Sequence, residues 1–275
     1  PDPLEVPRTR MDLARALAEA GRLAPARAEL ERARQELPAA PHPVLDVATV
    51  DYLLGIVLRG LRHLTAALTR FESAAAAFAQ VQRPDAVALA ERDRGSVLFA
   101  LGRGGQAAEA FDIAVAASRA AGDEWHALAC GIDAAQVRSY AGTTGATDEL
   151  RRLRDALPEA AVSSAAPGEA ELAFQTARVD HALAYCALAA GEVTAAAELA
   201  EQALGGYRAA GAHRAVAALS VDAGSWWWQA GDTGSALRYL RGAMRSARAL
   251  GDGQLIARCS AALHEVGHRE ADIAG

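Results

Sequence analysis

Residues 95–114 read GSVLFALGRGGQAAEAFDIA, and this stretch decides the fold. Gly95 stands seven residues before Gly102, and Ala107, Phe111 and Ala114 stand five, nine and twelve residues after it. Small residues at helical spacing on both sides of a glycine describe two helices folded back on each other across a tight turn. The same frame recurs along the chain. Its turn positions are Gly21, Arg62, Gly102, Gly142, Gly191 and Gly231, separated by 41, 40, 40, 49 and 40 residues. Ala26, Ala67, Ala196 and Ala236 repeat the position of Ala107, with Thr147 a poor match in the fourth unit. Gly55 and Gly224 repeat Gly95, and Ala14, Ala135 and Ala184 fill that place elsewhere. Leu30, Phe71 and Leu240 repeat Phe111, and Ala33, Ala74, Ala203 and Ala243 repeat Ala114. A small residue lets one helix seat against the next, and the large apolar one fills the space between neighbouring pairs. A period this constant marks an internal repeat.

Composition agrees. Of 275 residues, 52% are hydrophobic but only 5% aromatic, and about a quarter are Ala, the best helix former. β-Branched and aromatic residues are too few for a sheet protein, so the expected class is all-α. Every one of the 28 basic residues is Arg and the chain contains no Asn, a bias that reads as GC-rich bacterial coding. A net charge of −6 argues against direct nucleic-acid binding, which wants a strongly basic face. The least polar stretch, Ala182 to Ala190, is too short to span a membrane. Cys130, Cys186 and Cys259 are odd in number and far apart, which suits reduced thiols in a cytoplasmic protein. No signal peptide opens the chain and it does not begin with Met, so it is expected to be a processed protein or part of a longer one.

The pattern resembles the tetratricopeptide repeat family, whose minimal unit carries small, Ala, aromatic, Ala and Pro residues at matching spacings. The resemblance covers about residues 7 to 252, with a period near 40 like that of the longer-helix variety found in bacterial regulatory and signalling proteins. It implies one domain over 1–275, a right-handed superhelical solenoid of about six antiparallel helix pairs plus a C-terminal capping helix. The units expected are 7–40, 46–82, 85–121, 124–158, 169–210 and 214–250, with the cap at 253–267. Second helices are expected to close at Pro38, Gly122, Gly211 and Gly251. The fourth unit is degenerate, because Arg151 and Arg154 stand where other units place apolar residues or Ala. An irregular, exposed loop is expected at 158–168.

In this family the first helix of each pair lines a concave groove. The matching positions are Arg8, Met11, Arg15 and Glu19 in the first unit, and Tyr52, Ile56 and Arg59 in the second. The third unit gives Arg92, Ser96 and Phe99, and the fourth Ile132, Gln136 and Tyr140. The fifth gives Arg178, His181 and Tyr185, and the sixth Ser225, Trp228 and Gln229. Arg and aromatic residues recur there, and both are favoured anchors in recognition. The resemblance implies a protein or peptide partner, and the Arg row implies that it is acidic. The competing reading is that these Arg pair with Asp and Glu of neighbouring repeats, such as Glu91 or Asp180. The Lys and Asn carboxylate clamp of chaperone-binding members is absent. Within Trp226-Trp227-Trp228 the three side chains point in three directions. Trp227 is expected in the core, Trp228 on the groove and Trp226 against an adjacent helix.

His264-Glu265-Val266-Gly267-His268 matches the zinc-peptidase pattern H-E-x-x-H. Zinc chemistry needs a third ligand and a substrate pocket, yet only seven residues follow His268. A chance match is the simpler reading, and no metal, cofactor or catalytic residue is expected. Three functions stay open: a non-enzymatic binding scaffold, a ligand- or peptide-sensing arm of a larger bacterial regulator with a DNA-binding or CHAT-protease effector, and a zinc-dependent hydrolase.

Overall fold

The computed structural model describes residues 2–37, 43–163 and 168–274, the side chains of 163 and 268–274 excepted. Thirteen α-helices and no strand occur among the described residues. They are α1 (Glu5–Glu19), α2 (Leu23–Glu36), α3 (Val44–Gly60), α4 (Leu64–Gln80), α5 (Pro84–Ala100), α6 (Gly104–Ala120) and α7 (Glu124–Tyr140). There follow α8 (Ala146–Ser163), α9 (Glu169–Ala189), α10 (Val193–Ala209), α11 (His213–Gln229), α12 (Thr233–Ala249) and α13 (Gly253–Ala274). Six successive pairs and a closing helix account for all thirteen. None of them, within the described residues, is long and apolar enough to cross a membrane.

Each turn is built from one conformational device. Gly21, Gly102, Gly142, Gly191 and Gly231 have φ between 67° and 86°, the left-handed region that a side chain resists. At Gly102 the reversal lets the Arg103 N–H reach the Leu98 carbonyl at 2.9 Å, satisfying a carbonyl that the ending helix leaves open. Arg62 occupies the equivalent place at φ 65° without the glycine. Between pairs the device recurs at Gly122, Gly211 and Gly251. After Gly122, Gly231 and Gly251 an Asp follows: Asp123, Asp232 and Asp252 each accept a backbone N–H from the next helix's first turn. A Gly-Asp pair therefore ends one helix and caps the next. Pro38 lies outside the described residues.

Close approach of paired helices follows from the small residues. A Cβ placed on Gly55 would lie 2.6 Å from the Phe71 ring, one on Gly95 2.7 Å from Phe111, and one on Gly224 2.7 Å from Leu240. Each large side chain sits where the glycine of the partner helix leaves room.

The chain divides into two compact units, Pro1–Arg138 and Ser139–Gly275. In the first, α1 packs on α2, α3 on α4 and α5 on α6, and the second helices α2 and α4 pack on the next first helices, α3 and α5. First helices also touch each other, α1 against α3 and α3 against α5. One cluster there joins Met11, Leu30, Val50 and Leu54, and another joins Phe71, Val97, Phe111 and Val137. In the second unit α9 packs on α10, α11 on α12, and α13 closes the array against α12 and α11. Its largest cluster gathers Ala184, Ala200, Leu204, Tyr207, Leu219 and Trp226.

The loop expected at 158–168 needs correcting. Residues 158–163 are helical, because α8 runs through Pro158 to Ser163, and residues 164–167 lie outside the described ones. The degenerate fourth unit buries Ala146, Leu150, Leu157 and Ala160 of α8, a stripe shifted by one position from the other units. That shift leaves Arg151 exposed beside Asp148 at 3.2 Å and sends Arg154 to the buried Asp180 at 2.7 Å.

Candidate functional site

In the first unit the first helices place their polar side chains in a row, and each row member reaches the next helix along. Arg8 of α1 binds Asp46 of α3 with two nitrogens, at 2.7 and 3.1 Å. Tyr52 and Arg59 of α3 both donate to Asp93 of α5, at 3.0 and 2.5 Å. Arg92 of α5 donates to Asp133 of α7 at 2.8 Å. Burial, and then the Asp93 charge, push the Tyr52 hydroxyl's pKa well above its usual value, so it stays a donor. Arg15 makes no ion pair among the described residues. It lies with Glu19 and Arg59 beside an apolar cleft of about 420 Å³ walled by Leu23, Leu53 and Ile56. Phe99 is 44% exposed at the end of α5.

The second unit replaces charge with aromatic rings. Tyr140 meets Tyr185 edge-on at 5.2 Å between centroids, and Tyr185 meets Trp226 edge-on at the same distance. His181 stacks on Tyr185 at 5.3 Å, and its Nδ1 lies 3.3 Å from the Tyr207 hydroxyl. Its other ring nitrogen is buried without a hydrogen-bond partner. Burial, reinforced by the Arg178 cation, pulls the His181 pKa down to about 4, so the ring is neutral at physiological pH. The Tyr185 hydroxyl donates to Asp222 of α11 at 3.0 Å, and Arg258 of α13 donates to the same carboxylate at 2.7 Å. Burial outweighs these partners and raises the Asp222 pKa.

The tryptophan run differs from expectation. Trp226 is the buried one, at 4% exposure, inside the Tyr185 cluster. Trp227 is half-buried against the same cluster, with its indole N–H enclosed and unpaired. Trp228 is half-buried against the core that α11 shares with α12 and α13. The Gly224 contact with Leu240 keeps α11 in the same frame as the other first helices, and Trp226, five residues before Gly231, takes the buried place that Val57 and Val97 hold five residues before Arg62 and Gly102.

No protein-family model matches the sequence, and no curated protein matches it. Solved structures do. The apo quorum sensor NprR from B. thuringiensis superposes with a TM-score of 0.73 over 96% of this chain and 70% of its own, at 10% identity. A Rap protein complexed with competence and sporulation factor gives 0.62 over 96% and 88%, also at 10% identity. A putative kinesin light chain from Podosopora anserina with nearly identical TPR-like repeats gives 0.60 over 75% and 96%, at 18% identity. This chain has the tetratricopeptide repeat fold. At such identities the tetratricopeptide likeness speaks for architecture alone.

Within that fold the first helices gather Arg8, Tyr52, Arg59 and Arg92 into one ladder, and Tyr140, His181 and Tyr185 into one aromatic cluster. Arg178 donates to Gln175 at 2.8 Å, one turn back on its own helix, and stands near His181. The partners Asp46, Asp93, Asp133 and Asp222 are the residues that motif reading missed. Their signal is the repeat offset itself: Tyr52 to Asp93 and Arg92 to Asp133 are both 41 residues apart. His264 is exposed on α13, the His268 side chain lies outside the described residues, and no metal-sized group of three His, Cys, Asp or Glu occurs among those described.

Proposed function

We propose that this chain is a non-enzymatic scaffold whose first helices take up a protein or peptide segment. The ladder carries this reading: recognition-type side chains, Arg and Tyr, are held in register by the next first helix along successive pairs, Arg8 exposed and Tyr52, Arg59 and Arg92 half-buried. Pre-positioned side chains lose little conformational freedom on binding, which favours affinity over self-contained packing. An acidic segment suits this face. It meets Arg15 directly and exchanges with Asp93 or Asp133 for the other guanidiniums. In the second unit, Tyr140, His181 and Tyr185 offer apolar and hydrogen-bonding contacts of their own.

A second reading is a peptide-sensing arm of a larger bacterial regulator. The likeness to a quorum sensor and to a Rap protein complexed with a signalling factor supports it. In that case the segment bound is a short peptide and the readout lies in another domain.

Quantitative pull-down from a bacterial lysate compares the wild type with Arg59→Glu combined with Arg178→Glu. The expected result is loss of one or more retained proteins or peptides from the double variant, with helical content unchanged by circular dichroism. An identical retained set would overturn the basic face.

A further inference from the structure

Between α10 and α12, the second helices of the fifth and sixth pairs, the second unit holds a cleft of about 450 Å³ whose floor is Val216 and Ser220 of α11. Its chemistry differs from the first-helix ladder. Arg208 comes from α10, and Arg238 and Arg245 come from α12, two turns apart on one face. Against these three cations the lining contains one carboxylate, Glu201. Glu201 already accepts the Tyr239 hydroxyl at 2.6 Å and stands 3.7 Å from Arg238. Arg208 and Arg245 make no ion pair among the described residues. Arg238 is held by Ser235 at 3.3 Å and by the Tyr239 ring at 5.1 Å. In a chain of net charge −6, a cleft carrying this excess of positive charge is a local inversion.

On the α12 side the cleft is opened by a glycine, Gly242. Gly242 lines it midway between Arg238 and Arg245, and Gly205 sits midway between Glu201 and Arg208. A Cβ on Gly205 would meet nothing within 4 Å, and one on Gly242 would meet only the Arg245 guanidinium, at 4.0 Å. Neither glycine is required by packing or by a left-handed φ, unlike those of the turns. Each is a weaker helix former than Ala at its position. Gly242 in the lining, beside guanidiniums that make no ion pair among the described residues, leaves room for a group to enter between the helices.

We propose that this cleft binds a phosphate monoester. Planar guanidiniums from two helices match the geometry of a tetrahedral dianion, and Ser246 and Tyr239 bring hydroxyls to the same lining. A carboxylate, with one charge and two oxygens, satisfies fewer of these donors. The cleft is larger than the phosphate group, so an organic body attached to it is accommodated over Gly242.

Isothermal titration calorimetry on the full chain at low salt uses three probes: inorganic phosphate, N-acetyl-O-phosphoserine amide and N-acetylglutamate amide. The expected order is phosphoserine amide, then inorganic phosphate, then glutamate amide, with about tenfold between first and last. Arg208→Gln combined with Arg245→Gln weakens both phosphate probes by about tenfold or more. Gly242→Leu, which keeps every charge and favours the helix, weakens the phosphoserine probe more than inorganic phosphate. All three positions are on the surface, and circular dichroism checks that the variants fold. Inorganic phosphate binding ahead of the ester identifies the free ion as ligand and overturns the monoester assignment. Equal binding of the glutamate probe, or unchanged affinity in the double Arg variant, overturns the site.

Discussion

His181 shows how one residue ties fold to conditions. The neutral ring is stacked on Tyr185, close to Tyr207 and to the Arg178 cation, with one nitrogen enclosed. Its pKa falls from the ordinary 6.5 to about 4, so folding favours the neutral form. That contribution is complete above pH 6.5 and is lost as pH falls toward 4. The loss is at most about 1.4 kcal/mol per pH unit, an upper bound because part of the ring reaches solvent. Denaturant unfolding between pH 7.5 and 4.5 is expected to show a steeper loss for the wild type than for His181→Phe. Parallel curves for the two proteins would remove His181 as the cause. Asp180 and Asp222 do not confound the comparison: burial raises both, and both are present in each protein.

At the scale of the element, the paired helices depend on a glycine facing a ring. Gly95 leaves room for Phe111, and an added methyl would stand 2.7 Å from the ring, at a point buried on both sides. Gly95→Ala gains helix propensity yet overpacks the contact, and the second effect is larger, so a net loss of about 1–2 kcal/mol is expected. Chemical denaturation measures it; a stabilised variant would show that α5 and α6 can part without cost. Helix α8 shows the reverse situation. Its Arg151 takes the place of the ring, and the helix answers by burying Leu150 and Leu157 instead. The repeat pattern reported the position that had changed. It could not report the rotation, because the shift depends on which neighbouring side chains offer a hole. The Trp226 to Trp228 run is a different case: three adjacent Trp offer one apolar type in three directions, and the place five residues before the turn, buried at Val57 and Val97, takes Trp226.

For the whole molecule, the ladder couples the proposed binding face to the repeat itself. Each Asp on a first helix both links adjacent pairs and competes with an acidic partner for the same guanidinium. Asp93→Asn keeps the shape and one acceptor oxygen, which can serve Arg59, turns the other atom into a donor toward the Tyr52 hydroxyl, and removes the competing charge. On this reading the variant retains the acidic partner of the pull-down more tightly, by about threefold to tenfold. Weaker retention would mean that Asp93 itself contacts the partner. The sequence by itself determined the all-α class, the period, the turn positions and the small residues at which paired helices seat. All of these follow from local sterics repeated at fixed spacing, which a linear pattern carries. Only the tertiary structure decided that Arg8, Arg59 and Arg92 are pinned by Asp46, Asp93 and Asp133, that Trp226 is the buried tryptophan, and that Arg208 and Arg245 face one cleft. Those facts depend on the rotation of each helix against its neighbours. Rotation is settled by contacts between residues some 40 positions apart, and no local pattern encodes it.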